Sequence, residues 1–153
     1  MYFWQIESLK SLLVSRSLSE REVLPYAMGG SALVYLVSSY PRRMNGIWDM
    51  AGAILGLVIT VLGTIFIYRQ NGGASGQHFL QRYVAIGWVV SIRWFVFVLV
   101  AAVIFGALLS LAGVSVTGQT TWQEFIFSAI MEVILYRNIG LHVRSVADIQ
   151  KDA

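Results

Sequence analysis

From Tyr83 to Gly113 the chain runs for 31 residues with a single charged side chain, Arg93. No soluble fold exposes so long an apolar run. In lipid every backbone amide must find its partner within its own segment, so such a run must be helical. About 20 apolar residues already cross the hydrocarbon core of a bilayer. A second stretch, residues 47–68, carries no charge after Asp49, and a third, residues 122–142, is mostly apolar but holds Glu132 and Arg137. The composition agrees: 57% hydrophobic and 12% charged residues leave too little polar surface for a water-soluble domain of 153 residues. The expected fold class is all-α, a polytopic membrane protein of four transmembrane helices with an amphipathic interfacial helix at its N-terminus.

The 31-residue run exceeds one untilted crossing. Arg93 is the natural place to divide it, which makes 77–92 a tilted or interfacial lead-in. The four spans are then expected at 23–40, 47–68, 94–113 and 122–142, within a single membrane domain covering residues 1–153. Residues 1–16 form the amphipathic helix, because Phe3, Ile6, Leu9, Leu12 and Leu13 recur at helical spacing with polar residues between them. That helix is expected on the membrane surface, with packing on another protein segment as the alternative. Ser17 with Glu20 and Ser19 with Glu22 make two overlapping capping boxes, and Pro25 is expected to kink or restart the helix that follows. Pro41 to Gly46 and Asn71 to Gly73 have the composition of turns. Residues 143–153 are expected to be a helical, partly polar cytoplasmic tail. The two halves show no internal repeat, so an inverted-repeat transporter has no support.

Charge sets the orientation. With both termini cytoplasmic, the inner side carries Lys10, Arg16, Arg21, Arg69, Arg82, Arg93, Arg137, Arg144 and Lys151, and only Arg42 and Arg43 lie outside. This is the positive-inside pattern of a cytoplasmic (inner) membrane protein. The net charge of +3 does not imply nucleic acid, since the basic residues are dispersed between apolar spans and face anionic lipid better than a phosphate backbone. The absence of cysteine excludes disulfides, thiolate metal sites and cysteine nucleophiles. Glu7, Lys10, Arg16, Glu20, Arg21 and Glu22 precede any long apolar stretch, unlike a signal peptide, so insertion is expected to rely on internal spans.

Few motifs carry chemistry. Gly52 and Gly56, continued by Thr60 and Thr64, and Ala102, Gly106 and Ser110 place small residues on helix faces, the usual device for close packing in lipid. Either row serves packing within one chain or self-association. The stretch Asn71 to Gln77 lacks the Gly-Lys-Ser/Thr ending of a phosphate loop and reads as a helix cap and loop. Its Gly72-Gly-Ala-Ser-Gly76 followed by Arg82-Tyr83 resembles the glycine-rich start of the small four-helix fluoride channels. Here the arginine comes two positions late and the stretch lies in mid-chain, so no site residue is carried over. His78 and His142 read as interfacial histidines, and no metal or cofactor is expected. Trp4, Trp48, Trp88, Trp94 and Trp122 near the span ends form an aromatic belt.

Glu132 stands apart, because an ionisable group at membrane depth needs a partner or water. Arg93, from the neighbouring helix, is the expected partner, and Arg137 lies one and a half turns shallower on the same helix. No nucleophile–base pair or paired-acid arrangement is visible, which points away from an enzyme. The expected function is a non-enzymatic module that acts through self-assembly or a membrane protein partner, for example an immunity-type protein against a pore-forming toxin. An oligomeric ion channel or small transporter using Glu132 and Arg93 is the alternative, and a membrane enzyme comes last.

Overall fold

The computed structural model describes residues 5–15, 18–38, 46–114 and 120–151. All of its regular structure is helical among those residues: α1 (Ile6–Ser15), α2 (Glu20–Ser38), α3 (Ile47–Gln70), a short 3₁₀ turn at Gly73–Ser75, α4 (Phe79–Leu111) and α5 (Trp122–Lys151). Three of these, α3, α4 and α5, are long and apolar enough to cross a membrane. The expected first span, 23–40, falls mainly in α2, which does not meet that standard, and its last two residues lie outside the described ones.

Local chemistry sets the helix starts. Glu22 Oε2 accepts from the Ser19 amide at 2.9 Å and from its hydroxyl at 2.8 Å, so the carboxylate half of one of the two expected boxes forms; Ser17 lies outside the described residues. A box not foreseen from the sequence opens α5, where Glu124 Oε2 accepts from the Thr121 amide at 2.7 Å and Thr121 Oγ1 accepts from the Glu124 amide at 3.3 Å. Asp49 Oδ2 accepts from the Gly46 amide at the start of α3. Pro25 does not interrupt α2. Gly72 ends α3 at φ +98°, a left-handed conformation that a side chain would strain.

Contacts between α3 and α5 advance together along both helices, from Trp48 with Phe125 through Thr60 with Glu132 to Phe66 with Gly140, so the two run parallel. α4 returns antiparallel, with Phe105 stacked on Phe127 at a centroid distance of 4.6 Å. α5 thus touches both α3 and α4, while α2 packs on α4 and α1 packs on α4 and α5.

The core occupies one end of this arrangement. Leu9 and Leu13 of α1, Tyr26 of α2, Ile67 of α3, Ala85, Ile86 and Val89 of α4, and Ile139, Val143 and Val146 of α5 form one buried cluster. Fully burying side chains of this size contributes roughly 1.5–3 kcal/mol each, so this packed end holds most of the cohesion. At the other end the surface is apolar: Ile54, Leu57, Val103, Ile104 and Ile130 are all exposed. Of the most apolar window in α4 only 6% is buried, as befits a helix whose solvent is lipid.

Three expectations change. α4 is one unbroken helix of 33 residues rather than two pieces divided at Arg93. At 1.5 Å per residue it is about 50 Å long, against a hydrocarbon core of about 30 Å, so its first turns can pack in the core while the rest crosses. Arg93 is exposed and does not disturb the backbone. The apolar face of α1 is buried against α4 and α5 rather than laid on the membrane, and Leu9 is fully inaccessible. Residues 143–151 continue α5 as the helical tail expected, and what changes is that Val143, Val146 and Ala147 belong to the buried set.

Candidate functional site: a carboxylate between two helices

The seam between α3 and α5 is built on glycine. A Cβ at Gly63 would lie 2.9 Å from Tyr136 Cβ and closer still to the ring, and one at Gly140 would run into Phe66. One at Gly56 would meet Glu132 Oε2 at 3.3 Å, and one at Gly52 would touch Phe125 at 3.7 Å. Of the expected small residues Gly52 and Gly56 therefore face the seam, and Gly63 and Gly140 add to it. Ala102, Gly106 and Ser110 do not take part. Among the described residues nothing lies within 4 Å of a Cβ at Gly106, and the other two are exposed, so this row faces away from the other described helices.

The glycines let the helices approach closely enough for one polar contact at depth. Thr60 Oγ1 donates to Glu132 Oε1 at 3.1 Å. Thr64 is turned back on its own helix, donating to the Thr60 carbonyl at 2.8 Å. Tyr136, one turn along α5, sits beside Thr60, Glu132 and Tyr83. Glu132, Thr60, Tyr136 and Tyr83 thus form a short polar row that leads from α5 towards the packed end. Glu132 is only half-buried, and Thr60 supplies its one hydrogen bond among the described residues. Ser128, one turn before it, is exposed.

The expected Glu132–Arg93 pair is absent. Phe105 and Phe127 share a level, and Arg93 lies twelve residues from one while Glu132 lies five from the other. At 1.5 Å per residue the two charges are separated by about 10 Å along the axis, and no hydrogen bond or ion pair joins them. Their faces differ as well: Glu132, Tyr136 and Gly140, four residues apart in turn, face α3. Arg93 instead lies near His142, whose other charged neighbours are Lys10 and Glu7 of α1. Arg137 is exposed and forms no ion pair among the described residues.

No group of three or more metal-ligating side chains occurs among the described residues, and His78 and His142 lie apart in the fold at the start of α4 and within the last third of α5. The sequence reading passed over Asn71, Arg82 and Gln150. Arg82 is 2% exposed, and its position in the buried row Arg82, Ala85, Ile86, Val89 and Val90 was the available signal. Comparison with protein families, with curated proteins and with solved structures gives no match for this chain, so the reading of its site stands on its own geometry.

Proposed function

We propose that this chain is a non-enzymatic membrane module that assembles with itself in the bilayer through the face carrying Glu132. The observation that supports it is a half-buried carboxylate at membrane depth with one hydrogen bond, from Thr60. A charge left in lipid costs about 2.5–3.5 kcal/mol on insertion scales, and a second copy that covers this face removes the exposure. The outward row of Ala102, Gly106 and Ser110 offers a further close-packing surface. An immunity-type protein is one form such a module takes, with a membrane protein partner in place of the second copy.

The proposed topology has four crossings of the cytoplasmic membrane and cytoplasmic termini. Supporting it, α1 packs beside the end of α5 whereas α3 begins at the opposite end, near Thr120, and α2 lies between them in sequence. The nine-to-two basic asymmetry points the packed end inward.

A cysteine-free chain makes the test direct. Ser128→Cys, beside Glu132, should form a disulfide-linked dimer on mild oxidation in native membranes, and Glu132→Leu should suppress it. A Ser128→Cys chain that stays monomeric, together with single-step photobleaching in nanodiscs, would refute self-assembly at this face. A second reading, an oligomeric channel or small transporter, draws on the row Glu132, Thr60, Tyr136 and Tyr83; proton or cation flux through reconstituted oligomers that is lost in Glu132→Gln would favour it.

A further inference from the structure

The packed end contains a buried cation with no anion paired to it among the described residues. Arg82 lies one turn into α4, 2% exposed. Its Nη1 donates to Asn71 Oδ1 at 2.9 Å, its Nη2 donates to Gln150 Oε1, and its Nε–H makes no hydrogen bond among the described residues. Both acceptors are neutral amides. The acid nearest in sequence to Gln150 on the described part of α5, Asp148, is engaged by Arg144 Nε at 3.3 Å, and no described carboxylate pairs with Arg82. Asn71 and Gln150 each stand at the C-terminal end of a helix, α3 and α5, so the negative ends of two helix dipoles offset part of the charge. They do not replace a counterion, because a buried guanidinium is best satisfied by a charged acceptor that offers two oxygens to its fork.

The surroundings indicate what that acceptor is. Tyr68, Phe79 and Tyr83 form an aromatic cluster in which Tyr68 meets Phe79 edge-on at 5.3 Å and Phe79 stacks on Tyr83 at 5.6 Å. This marks the level of the membrane–water interface, where phosphate is the abundant anion. Arg69, two residues before Asn71, is exposed at the same level. Gln150 is half-exposed and sits in the last turn of α5, so its side chain can leave Arg82 without disturbing the core. We propose that Arg82, with Asn71 as a fixed neighbour, binds a phosphate group, from a phospholipid headgroup or from free phosphate, and that Gln150 occupies the site in its absence and yields to it. The phosphate accepts from Nε and Nη2 together, which restores the bond Nε lacks.

The test uses the purified full chain in a neutral detergent, with thermal unfolding followed against inorganic phosphate, against phosphatidylglycerol and against monoolein, which carries no phosphate. Either phosphate source should raise Tm by about 5–10 °C at saturation, while chloride of equal ionic strength and monoolein do not. Gln150→Ala should lower the half-maximal concentration about tenfold, since the internal competitor is gone. Arg82→Gln should abolish the shift. Stabilisation by phosphatidylglycerol alone assigns the lipid as the source, and stabilisation by inorganic phosphate alone assigns the free ion. An equal shift in Arg82→Gln, or no shift by either source in both the parent chain and Gln150→Ala, overturns the proposal. Should Arg82→Gln not fold, an unchanged half-maximal concentration in Gln150→Ala overturns it as well.

Discussion

Gly63→Ala adds one methyl group where the α3–α5 seam has no room. The new Cβ would stand 2.9 Å from Tyr136 Cβ and nearer to the first ring atoms, against a comfortable carbon–carbon separation of about 3.5–4.0 Å. These atoms lie close to the α5 backbone, so a rotamer change cannot clear them and the helices must part by about 1 Å. Overpacking of this kind costs about 1–3 kcal/mol. The usual gain of alanine over glycine in helix propensity gives little relief, since in the bilayer both packed and separated helices keep their backbone bonds. For a chain of this length the cost lowers Tm by about 2–12 °C. Parting would also stretch the Thr60–Glu132 bond one turn away. The matched control is Gly106→Ala, where nothing lies within 4 Å and the change should stay within about 0.5 kcal/mol. Thermal unfolding of both variants in one detergent decides the matter: a Tm for Gly63→Ala at or above the parent value, or a larger loss at Gly106, would refute the close seam.

Glu132→Gln and Arg93→Gln should be additive within about 0.5 kcal/mol in a double-mutant cycle, and a coupling above 1 kcal/mol would restore the pair the structure lacks. Thr60→Val removes the one described hydrogen bond to Glu132 and should cost about 0.6–2 kcal/mol in chemical unfolding, with no loss meaning that the carboxylate is held by water. Leu9→Asp puts a charge at a fully inaccessible site and should cost more than 3 kcal/mol; a chain that keeps its Tm and loses only lipid affinity would return α1 to the membrane surface. Reporter fusions at residues 1, 74 and 153 should report one side and a fusion at 117 the other, and an external signal at 74 alone would disprove the four crossings.

Long apolar runs were legible because length and hydropathy alone decide whether a segment can cross, which is why the expected spans 47–68 and 122–142 fall within two of the helices able to cross. The division at Arg93 failed because an arginine on an exposed helix face asks nothing of the backbone, a fact that run length does not encode. The apolar face of α1 was visible, but the same spacing suits a lipid surface and a protein groove, and only the position of α4 and α5 distinguishes them. On α3 the small-residue row was followed in steps of four, each of which turns 40° further round the helix. After three steps from Gly52 it reaches Thr64, rotated off the seam, while Gly63 takes its place against Tyr136. The carboxylate was found because a charge at depth is conspicuous, and its partner was missed because Thr60 is one hydroxyl among many. Arg82 was hidden by its resemblance to the other interfacial basic residues.

The packed end joins α1 to the final turns of α5 across more than a hundred residues of sequence. During synthesis α1 is made first, yet Leu9 and Leu13 cannot reach Val143 and Val146 until α5 has left the ribosome, at about 5–20 residues per second. For those seconds α1 carries an unshielded apolar stripe that a chaperone or the lipid surface must hold. A nascent chain halted before α5 would have apolar helices in the membrane and no core to close, which makes it a ready substrate for membrane proteases. Completion of α5, rather than insertion of α1, is then the event that closes this core.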